Sequence, residues 1–197
     1  MNYSNQFIKM DRAKLLDKVS NKMSPKRFQH VLGVEKAAIY LAKKYGGSIE
    51  KASIAALTHD YAKERSDQEF KEMIKRKKLD EDLLKWGNPI WHGVVGVFFV
   101  AEELGIEDED ILQAIKLHTT GSADMDLLDK IIYVADYIEP GRDFPGVNEA
   151  RKIADENLDR AVAYEAKHTL AHLIEEEMAV YPKSLETYNY WVLKMKK

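Results

Sequence analysis

The chain has 197 residues, of which 45% are hydrophobic and 32% charged, and its formal net charge at pH 7 is −3. This length suits one domain with a real hydrophobic core. The slight negative charge argues against a strongly electrostatic nucleic-acid binder, and the absence of cysteine excludes disulfides, thiolate zinc sites and cysteine nucleophiles. The longest apolar run, VVGVFFVA, is far shorter than the roughly 20 residues that cross a bilayer, and the N-terminus lacks a signal-peptide pattern. We therefore expect a cytoplasmic globular protein without nucleic-acid or membrane partners.

Helical signals follow one another along nearly the whole chain. Ser24 is a candidate N-cap for a long helix, with Pro25 at the first helical position and Gly46 near the end. Ser48 and Ser66 are candidate caps for the next two helices. With their flanking residues, the predicted helices cover 24–47, 48–60, 66–78, 90–105, 107–121, 124–141, 148–179 and 183–195, the seventh with a break near Asn157.

No strand-like alternation, repeat or low-complexity segment interrupts this helical pattern. The sequence therefore predicts an all-α fold of about eight helices in a single domain. We assign residues 22–197 to that domain. Residues 1–21 are assigned to an N-terminal extension that is also predicted to be helical.

Four of the six histidines occur in apolar or small-residue settings near predicted helix ends. The segments are FQHVLG, LTHDYA, IWHGVV and KLHTTG, which contain His30, His59, His92 and His118. Each of these residues, taken alone, is more often structural than functional. His168 and His172 have the i,i+4 spacing of helical metal ligands but lack the glutamate of a metalloprotease motif. We interpret that last pair as structural or as part of the surface.

A carboxylate within an apolar run favours a metal site. Asp136 lies in LLDKIIYVADYIEP, and a buried carboxylate is costly unless it is paired, hydrogen-bonded or bound to a metal. A lysine or arginine partner for Asp136 is the alternative to a metal. A metal fits better, because Asp60, the neighbour of His59, and several imidazoles also need a partner. Imidazole and carboxylate ligands suit iron, manganese, zinc or cobalt. Six candidate groups on five predicted helices indicate an open site with room for water and substrate.

The order of these residues resembles a known family. A histidine, a later His-Asp pair and a distant aspartate, here His30, His59, Asp60 and Asp136, form the signature of HD-domain phosphohydrolases. With WHGVVG, LHTTG, ADYIEPGR and YPKSLETYN, the chain more specifically resembles the bacterial YqeK family of symmetrical diadenosine tetraphosphate hydrolases, over roughly residues 22 to 191.

The resemblance implies a single HD-domain helical bundle with one metal centre. His30, His59, Asp60 and Asp136 would hold a divalent or trivalent metal, iron first, with manganese, cobalt or zinc as the alternatives. The resemblance also implies that His92 and His118 face the phosphates of the substrate. In related HD proteins with two metals, the equivalent histidines bind the second ion, which is the alternative role for this pair.

Three cations near the ligand positions are candidates for substrate binding. Arg27 precedes His30 by three residues and shares its helix face, and Lys63 follows Asp60 by three residues. Arg142 follows the turn that comes after Asp136 in the sequence. The resemblance implies that all three cations reach one metal-centred pocket.

Two further residues are assigned to the substrate. Thr119 offers a hydroxyl and a backbone N–H to a phosphate. Tyr181 lies in AVYPKSL, which resembles the nucleoside-contacting segment of the family, so the tyrosine is a candidate to pack against a base. An ordinary tyrosine at a helix start is the alternative interpretation of Tyr181.

The expected reaction is hydrolysis at a middle phosphorus of diadenosine tetraphosphate, with release of two ADP. A bound metal lowers the pKa of its water and supplies hydroxide near neutral pH, and His92 or His118 would protonate the leaving phosphate. The expected partners are a dinucleoside polyphosphate substrate and ADP- or GDP-like products, and an exposed apolar helix face would support a homodimer.

One alternative is an HD-domain phosphohydrolase that acts on a deoxynucleotide, a cyclic dinucleotide or guanosine tetraphosphate. The other is a non-catalytic nucleotide sensor.

Overall fold

A computed structural model of the protein describes residue 1 and residues 3–196. This part of the chain is helical and contains no β-strand, so the predicted all-α class is confirmed. The α-helices are α1 Arg12–Ser20, α2 Pro25–Tyr45, α3 Ile49–Thr58, α4 Asp67–Arg76, α5 Asn88–Val94, α6 Gly96–Leu104, α7 Glu109–Leu117, α8 Leu127–Ile138, α9 Val147–Glu156, α10 Leu158–Glu175 and α11 Pro182–Lys194. A short 3-10 helix, Glu81–Lys85, lies between α4 and α5.

The predicted number of about eight helices is wrong, since the described residues form eleven. Helix α1 lies in the N-terminal extension and was not counted. The predicted helix over 90–105 is divided at Val95, where a Cβ on Gly96 would lie only 2.9 Å from Ala62 Cβ. The break predicted near Asn157 in the helix over 148–179 is confirmed: the extended backbone of Asn157 ends α9, and its side chain accepts a hydrogen bond from the Arg160 N–H at the start of α10.

The predicted helix caps have their expected geometry. The Ser24 and Ser48 side chains accept hydrogen bonds from backbone N–H groups in the first turns of α2 and α3. Ser66 and Glu69 form a capping box at the start of α4. Gly46 ends α2 with a φ of 76°, a left-handed conformation that glycine adopts at little cost.

Helices α2, α3 and α8 pack against one another at the centre of the fold, with α7 and α10 beside them. Leu41, Ile54 and Ile131 from the three central helices are fully buried. The N-terminal residues also contribute to this core, since Ile8 and Leu15 are buried. Each such aliphatic side chain stabilises the fold by roughly 1.5–3 kcal/mol relative to full exposure. The assignment of residues 1–21 and 22–197 to separate units stays a prediction.

Membrane insertion through a helix finds no support in the described residues. None of their helices combines the length and the apolar character that crossing a bilayer requires.

Asp129, near the start of α8, makes the stability of the fold depend on pH. Its buried carboxylate accepts hydrogen bonds from Gln113 Nε2 at 2.7 Å and from the Asp126 backbone N–H at 2.9 Å. Burial outweighs these bonds and raises the pKa of the Asp129 carboxyl from 3.8 to about 6. The folded state therefore binds this proton more tightly than the unfolded state. As a result, this carboxyl lowers the free energy of unfolding as the pH rises from about 4 to about 6.

We expect Asp129→Asn to remove that loss of stability. Relative to the wild type, the variant should gain on the order of 2 kcal/mol in free energy of unfolding between about pH 4 and pH 7. Urea denaturation at several pH values measures the difference. Asp124→Asn changes an exposed residue of the preceding loop and serves as the control. A difference between Asp129→Asn and wild type that stays constant across this range would contradict the assignment.

Candidate metal centre

Five helices bring six histidine and aspartate side chains to one place. His30 lies on α2, His92 on α5 and Asp136 on α8. His59 and His118 are the C-cap residues of α3 and α7, and Asp60 follows His59. The structure thus brings together all six groups that the sequence analysis singled out as ligands or phosphate contacts.

The ligand atoms of these residues form three overlapping groups, each with its atoms within 4.8 Å of one another. The groups are His30, His59 and Asp60; His59, His118 and Asp136; and Asp60, His92 and His118. Asp60 Oδ2 lies 3.5 Å from His59 Nε2 and 3.7 Å from His30 Nε2. His30 Nε2 lies 3.0 Å from Asp136 Oδ1. His59, Asp60 and His118 each belong to two groups, so they connect the three groups into one cluster.

Backbone carbonyls orient three of the four imidazole rings. The Nδ1 atoms of His59, His92 and His118 lie 2.7, 2.7 and 2.6 Å from the carbonyl oxygens of residues 56, 88 and 115. An Nδ1–H that donates to a carbonyl leaves Nε2 with a free lone pair. Each lone pair then points towards the cluster, which is the arrangement that metal-binding histidines need.

The fourth ring, His30, is held by a carboxylate instead. His30 Nδ1 lies 3.1 Å from Glu139 Oε1, and the Gly141 backbone N–H donates to Glu139 Oε2. A Cβ on Gly33 would overlap Glu139 Oε2, so only glycine leaves room for the buried carboxylate at that position. Glu139 lies within ADYIEPGR, which carries part of the family resemblance, but the sequence alone assigns it no role because its contact with His30 joins residues 109 positions apart.

We expect Glu139→Gln to weaken metal binding about 10- to 100-fold, because a carboxylate that accepts the Nδ1–H of a ligating histidine raises the basicity of its Nε2. Metal titration of the metal-free protein measures the affinity. Glu149→Gln replaces an exposed glutamate of α9 and should leave the affinity unchanged. Equal affinities for wild type and Glu139→Gln would show that Glu139 only fills space.

The donor atoms of the cluster fit a metal ion. His30 Nε2 and His59 Nε2 are both buried, and neither makes a hydrogen bond of acceptable geometry among the described residues, although Asp136 Oδ1 lies 3.0 Å from His30 Nε2. An unsatisfied buried polar atom costs about 1–3 kcal/mol, and a bound cation would satisfy both. Neutral imidazole with carboxylate oxygen suits iron, manganese, cobalt or zinc.

Both aspartates are charged in this setting. Burial alone would raise the pKa of the Asp60 carboxyl, but its electrostatic and hydrogen-bond interaction with His59 holds it well below its usual value. Burial likewise opposes ionisation of Asp136, and the His30, His59 and Arg142 side chains together keep its pKa below the usual range. Both carboxylates are therefore available as anionic ligands at neutral pH.

The three predicted cations lie together around the cluster. Arg27 Nη1 is 2.8 Å from Asp60 Oδ2, and Arg142 binds Asp136 through its Nη2 and Nε atoms. The arginine partner that was considered as the alternative for Asp136 is therefore present. Lys63 Nζ lies 3.2 Å from the ring nitrogens of His92. All three cations line one cavity of about 300 Å³, together with both aspartates.

His92 and His118 face each other inside that cavity, with Nε2 atoms 3.0 Å apart. Burial lowers the pKa of both imidazoles, that of His118 to about 4. When each neutral ring donates its Nδ1–H to a backbone carbonyl, the Nε2 lone pairs of His92 and His118 face each other. Thr119 Oγ1 lies 3.0 Å from His92 Nε2 and donates to one of them. This geometry accommodates both roles considered for the pair, phosphate contact and ligation of a second ion.

Helix α10 supplies cavity residues that the sequence analysis missed. Glu165 and Thr169 line the cavity beside Arg142, and Glu165 Oε2 is buried without a hydrogen-bond partner among the described residues. Burial raises the pKa of the Glu165 carboxyl well above its usual value. Acidic residues are frequent on amphipathic helices, so the sequence around Glu165 gave no functional signal.

Tyr181 lies apart from these residues. Its ring packs edge-on against Trp86, with 5.0 Å between the ring centroids, and lines a separate, largely apolar cavity of about 620 Å³. Contact between Tyr181 and a base stays a prediction. His168 stacks on Tyr164 at 3.9 Å between ring centroids, in agreement with a structural role.

Comparison with known protein families agrees with this geometry. The HD domain family matches residues 27–141, which include all six side chains of the cluster. The chain therefore belongs to the HD-domain family.

Relatives of known name are similar along nearly the whole chain. A symmetrical bis(5'-nucleosyl)-tetraphosphatase from Halalkalibacterium halodurans is 44% identical over 187 residues, which cover 95% of this chain and all of the relative. A Bacillus subtilis protein of the same name is 44% identical over 183 residues, which cover 93% of this chain and 98% of the relative. Within the HD-domain family, the chain belongs with these symmetrical bis(5'-nucleosyl)-tetraphosphatases.

A solved structure shares the fold at similar coverage. The crystal structure of a protein described as a predicted HD superfamily hydrolase involved in NAD metabolism, from Clostridium acetobutylicum, matches with a TM-score of 0.88 and 38% sequence identity. The match covers 94% of this chain and 98% of the other. The helices that carry the histidine and aspartate cluster therefore belong to a fold that is also seen experimentally.

Proposed function

We propose that this protein hydrolyses diadenosine tetraphosphate symmetrically, with a bound metal, to give two molecules of ADP. The observation that carries the proposal is the pair of buried Nε2 atoms on His30 and His59, neither with a hydrogen bond of acceptable geometry among the described residues, beside two ionised aspartates. The names of the relatives supply the substrate class. Three cations around the same cavity complement the negative charge of a tetraphosphate.

We infer that His30, His59, Asp60 and Asp136 hold the metal. Iron is the first choice, with manganese, cobalt or zinc as alternatives, because all four accept nitrogen and oxygen ligands. When bound, such a cation lowers the pKa of coordinated water and neutralises charge on phosphate oxygens.

The cations of the site would bind and orient the phosphates. Arg27 and Arg142 each use part of their guanidinium group on an aspartate, which leaves other N–H donors for phosphate oxygens. The Lys63 ammonium lies beside His92 at the wall of the same cavity, and the Thr119 hydroxyl also contacts the His92 ring. Charge neutralisation by such fixed groups stabilises the transition state of phosphoryl transfer.

His92 and His118 would contact the phosphates and handle the proton of the leaving group. In the substrate-free site burial keeps both rings neutral. A polyphosphate bound beside them raises the pKa of an imidazole, because a nearby anion favours the protonated form. A ring that becomes protonated in this way can donate its Nε2–H to the departing phosphate oxygen.

Product analysis tests the proposal. Purified, iron-supplemented protein is incubated with diadenosine tetraphosphate, and the nucleotides are separated by chromatography. We expect ADP as the sole product. ATP together with AMP would contradict symmetrical cleavage. No turnover would contradict the proposed substrate, and a panel of deoxynucleotides, cyclic dinucleotides and guanosine tetraphosphate would then test the other substrate classes of this family.

A further inference from the structure

A second cleft opens next to the metal centre, on the outer face of α2. Its volume is about 780 Å³, larger than the cavity of about 300 Å³ that holds Lys63, His92 and Thr119. One wall is the α2 face with Lys26, His30, Gly33 and Lys36, and the other is the turn 139–142. The volume lies within the range of about 300–1,000 Å³ that is typical of small-ligand pockets.

The two cavities meet at the metal centre. Arg27 and Arg142 line both of them, and His30 connects the cleft to the cluster. The smaller cavity is at the lower limit for a drug-sized ligand, so it cannot enclose a molecule with two nucleosides and four phosphates. A substrate whose two halves are joined at the reacting centre needs two such spaces that meet there.

The charged side chains that line the cleft are mostly positive, because four cations, Lys26, Arg27, Lys36 and Arg142, stand against two carboxylates, Glu64 and Glu139. Lys26 and Lys36 are exposed and form no ion pair among the described residues. Hydrogen bonds hold both glutamates of the cleft in place: Glu64 accepts from the Ser24 N–H and hydroxyl, and Glu139 is held by His30 and a backbone N–H. Lys36 lies six residues beyond His30, about 9 Å along the helix. The cleft thus extends the positive charge of the site away from the metal.

We propose that this cleft binds the second nucleoside diphosphate half of the dinucleotide, while the cavity with Lys63 and Thr119 binds the first. The inference rests on the proposed hydrolysis of diadenosine tetraphosphate. Lys26 and Lys36 hold the second half through its phosphates. No phenylalanine, tyrosine or tryptophan lines the cleft, so this half is retained by charge and not by stacking of its base on such a ring. Equal halves on either side of the metal centre place the central bridge at the reacting position and give two ADP.

Reversing the two lysine charges tests this assignment. We expect the variant Lys26→Glu/Lys36→Glu to raise the Michaelis constant for diadenosine tetraphosphate by about 10- to 100-fold. The dissociation constant of the non-hydrolysable β,β'-methylene analogue, measured by calorimetry, should rise by the same factor. Lys43→Glu is the matched control, since it reverses an exposed lysine on the same helix about two turns beyond Lys36. We expect the control to change either constant less than about twofold.

The outcomes separate this inference from the function on which it rests. Unchanged constants in the double variant, with an active wild type, would overturn the cleft assignment alone. Equal effects of the double variant and of Lys43→Glu would also overturn it, because they would show a general field effect. A wild type that neither hydrolyses the dinucleotide nor binds its analogue would overturn the proposed function.

Discussion

Replacing His59 with alanine is expected to remove both the bound metal and the hydrolytic activity. His59 is fully buried at the end of α3, and its Nε2 atom belongs to two of the three candidate ligand groups. Alanine offers no ligand there, and it leaves the ionised Asp60 and Asp136 without the imidazole that stabilises their charge. We expect at least about a 10³-fold loss of turnover, since a metal held by these residues would activate the attacking water and stabilise charge on the phosphates.

Metal content per chain and turnover of diadenosine tetraphosphate are the two measurements for His59→Ala. Circular dichroism of the variant checks that the helices still form. His172→Ala is the control, because it removes an exposed histidine from α10 and should leave both quantities unchanged. A folded His59→Ala protein with wild-type activity would show that the cluster is not the reactive site.

Replacing Arg142 with alanine should instead separate metal binding from substrate binding. Arg142 contacts Asp136 and lines both cavities that meet at the metal centre. Its loss removes a cation from the proposed phosphate-binding cavity but none of the proposed metal ligands. We expect metal content to stay near the wild-type value. The Michaelis constant for the dinucleotide should rise by about 10- to 100-fold, the usual range for a lost charge-assisted contact.

Arg142→Lys distinguishes charge from geometry in this second experiment. Lysine keeps the positive charge but loses the planar fork of donors, so it should restore only part of the affinity. Arg160→Ala removes an exposed arginine that pairs with Glu156 on the surface, and it controls for the loss of charge. If Arg142→Ala lost metal together with activity, Arg142 would act by positioning Asp136 and not by binding substrate.

Local chemistry explains why the sequence is informative at the proposed ligand positions. His59 and Asp60 stand side by side after a run of small residues, and Asp136 interrupts an apolar run. The serine caps are also local signals, because each bonds to a backbone N–H only three residues away. Such features join residues within about one helical turn, so they can be recognised from the amino-acid sequence alone.

The site residues that the sequence did not predict owe their roles to contacts with residues distant in the sequence. Glu139 matters because it meets His30 across 109 positions, and Gly33 matters because it makes room for that carboxylate. Glu165 faces the cavity only because α10 packs against α8. The break at Val95 similarly reflects a close approach to a residue of another segment.

Two levels of structure determine the geometry of the proposed metal site, as the hydrogen bonds from His59, His92 and His118 to backbone carbonyls show. The orientation of each ring is fixed by a hydrogen bond to the carbonyl of a residue three or four positions earlier, so it depends only on the local helix. The separation between rings, by contrast, follows from how closely whole helices approach. Ala55 and Ala56 are fully buried in α3 and set part of that approach. The geometry of the proposed site therefore depends on the hydrophobic core as well as on the ligands, and exchange of core residues is expected to change metal preference while every proposed ligand stays the same.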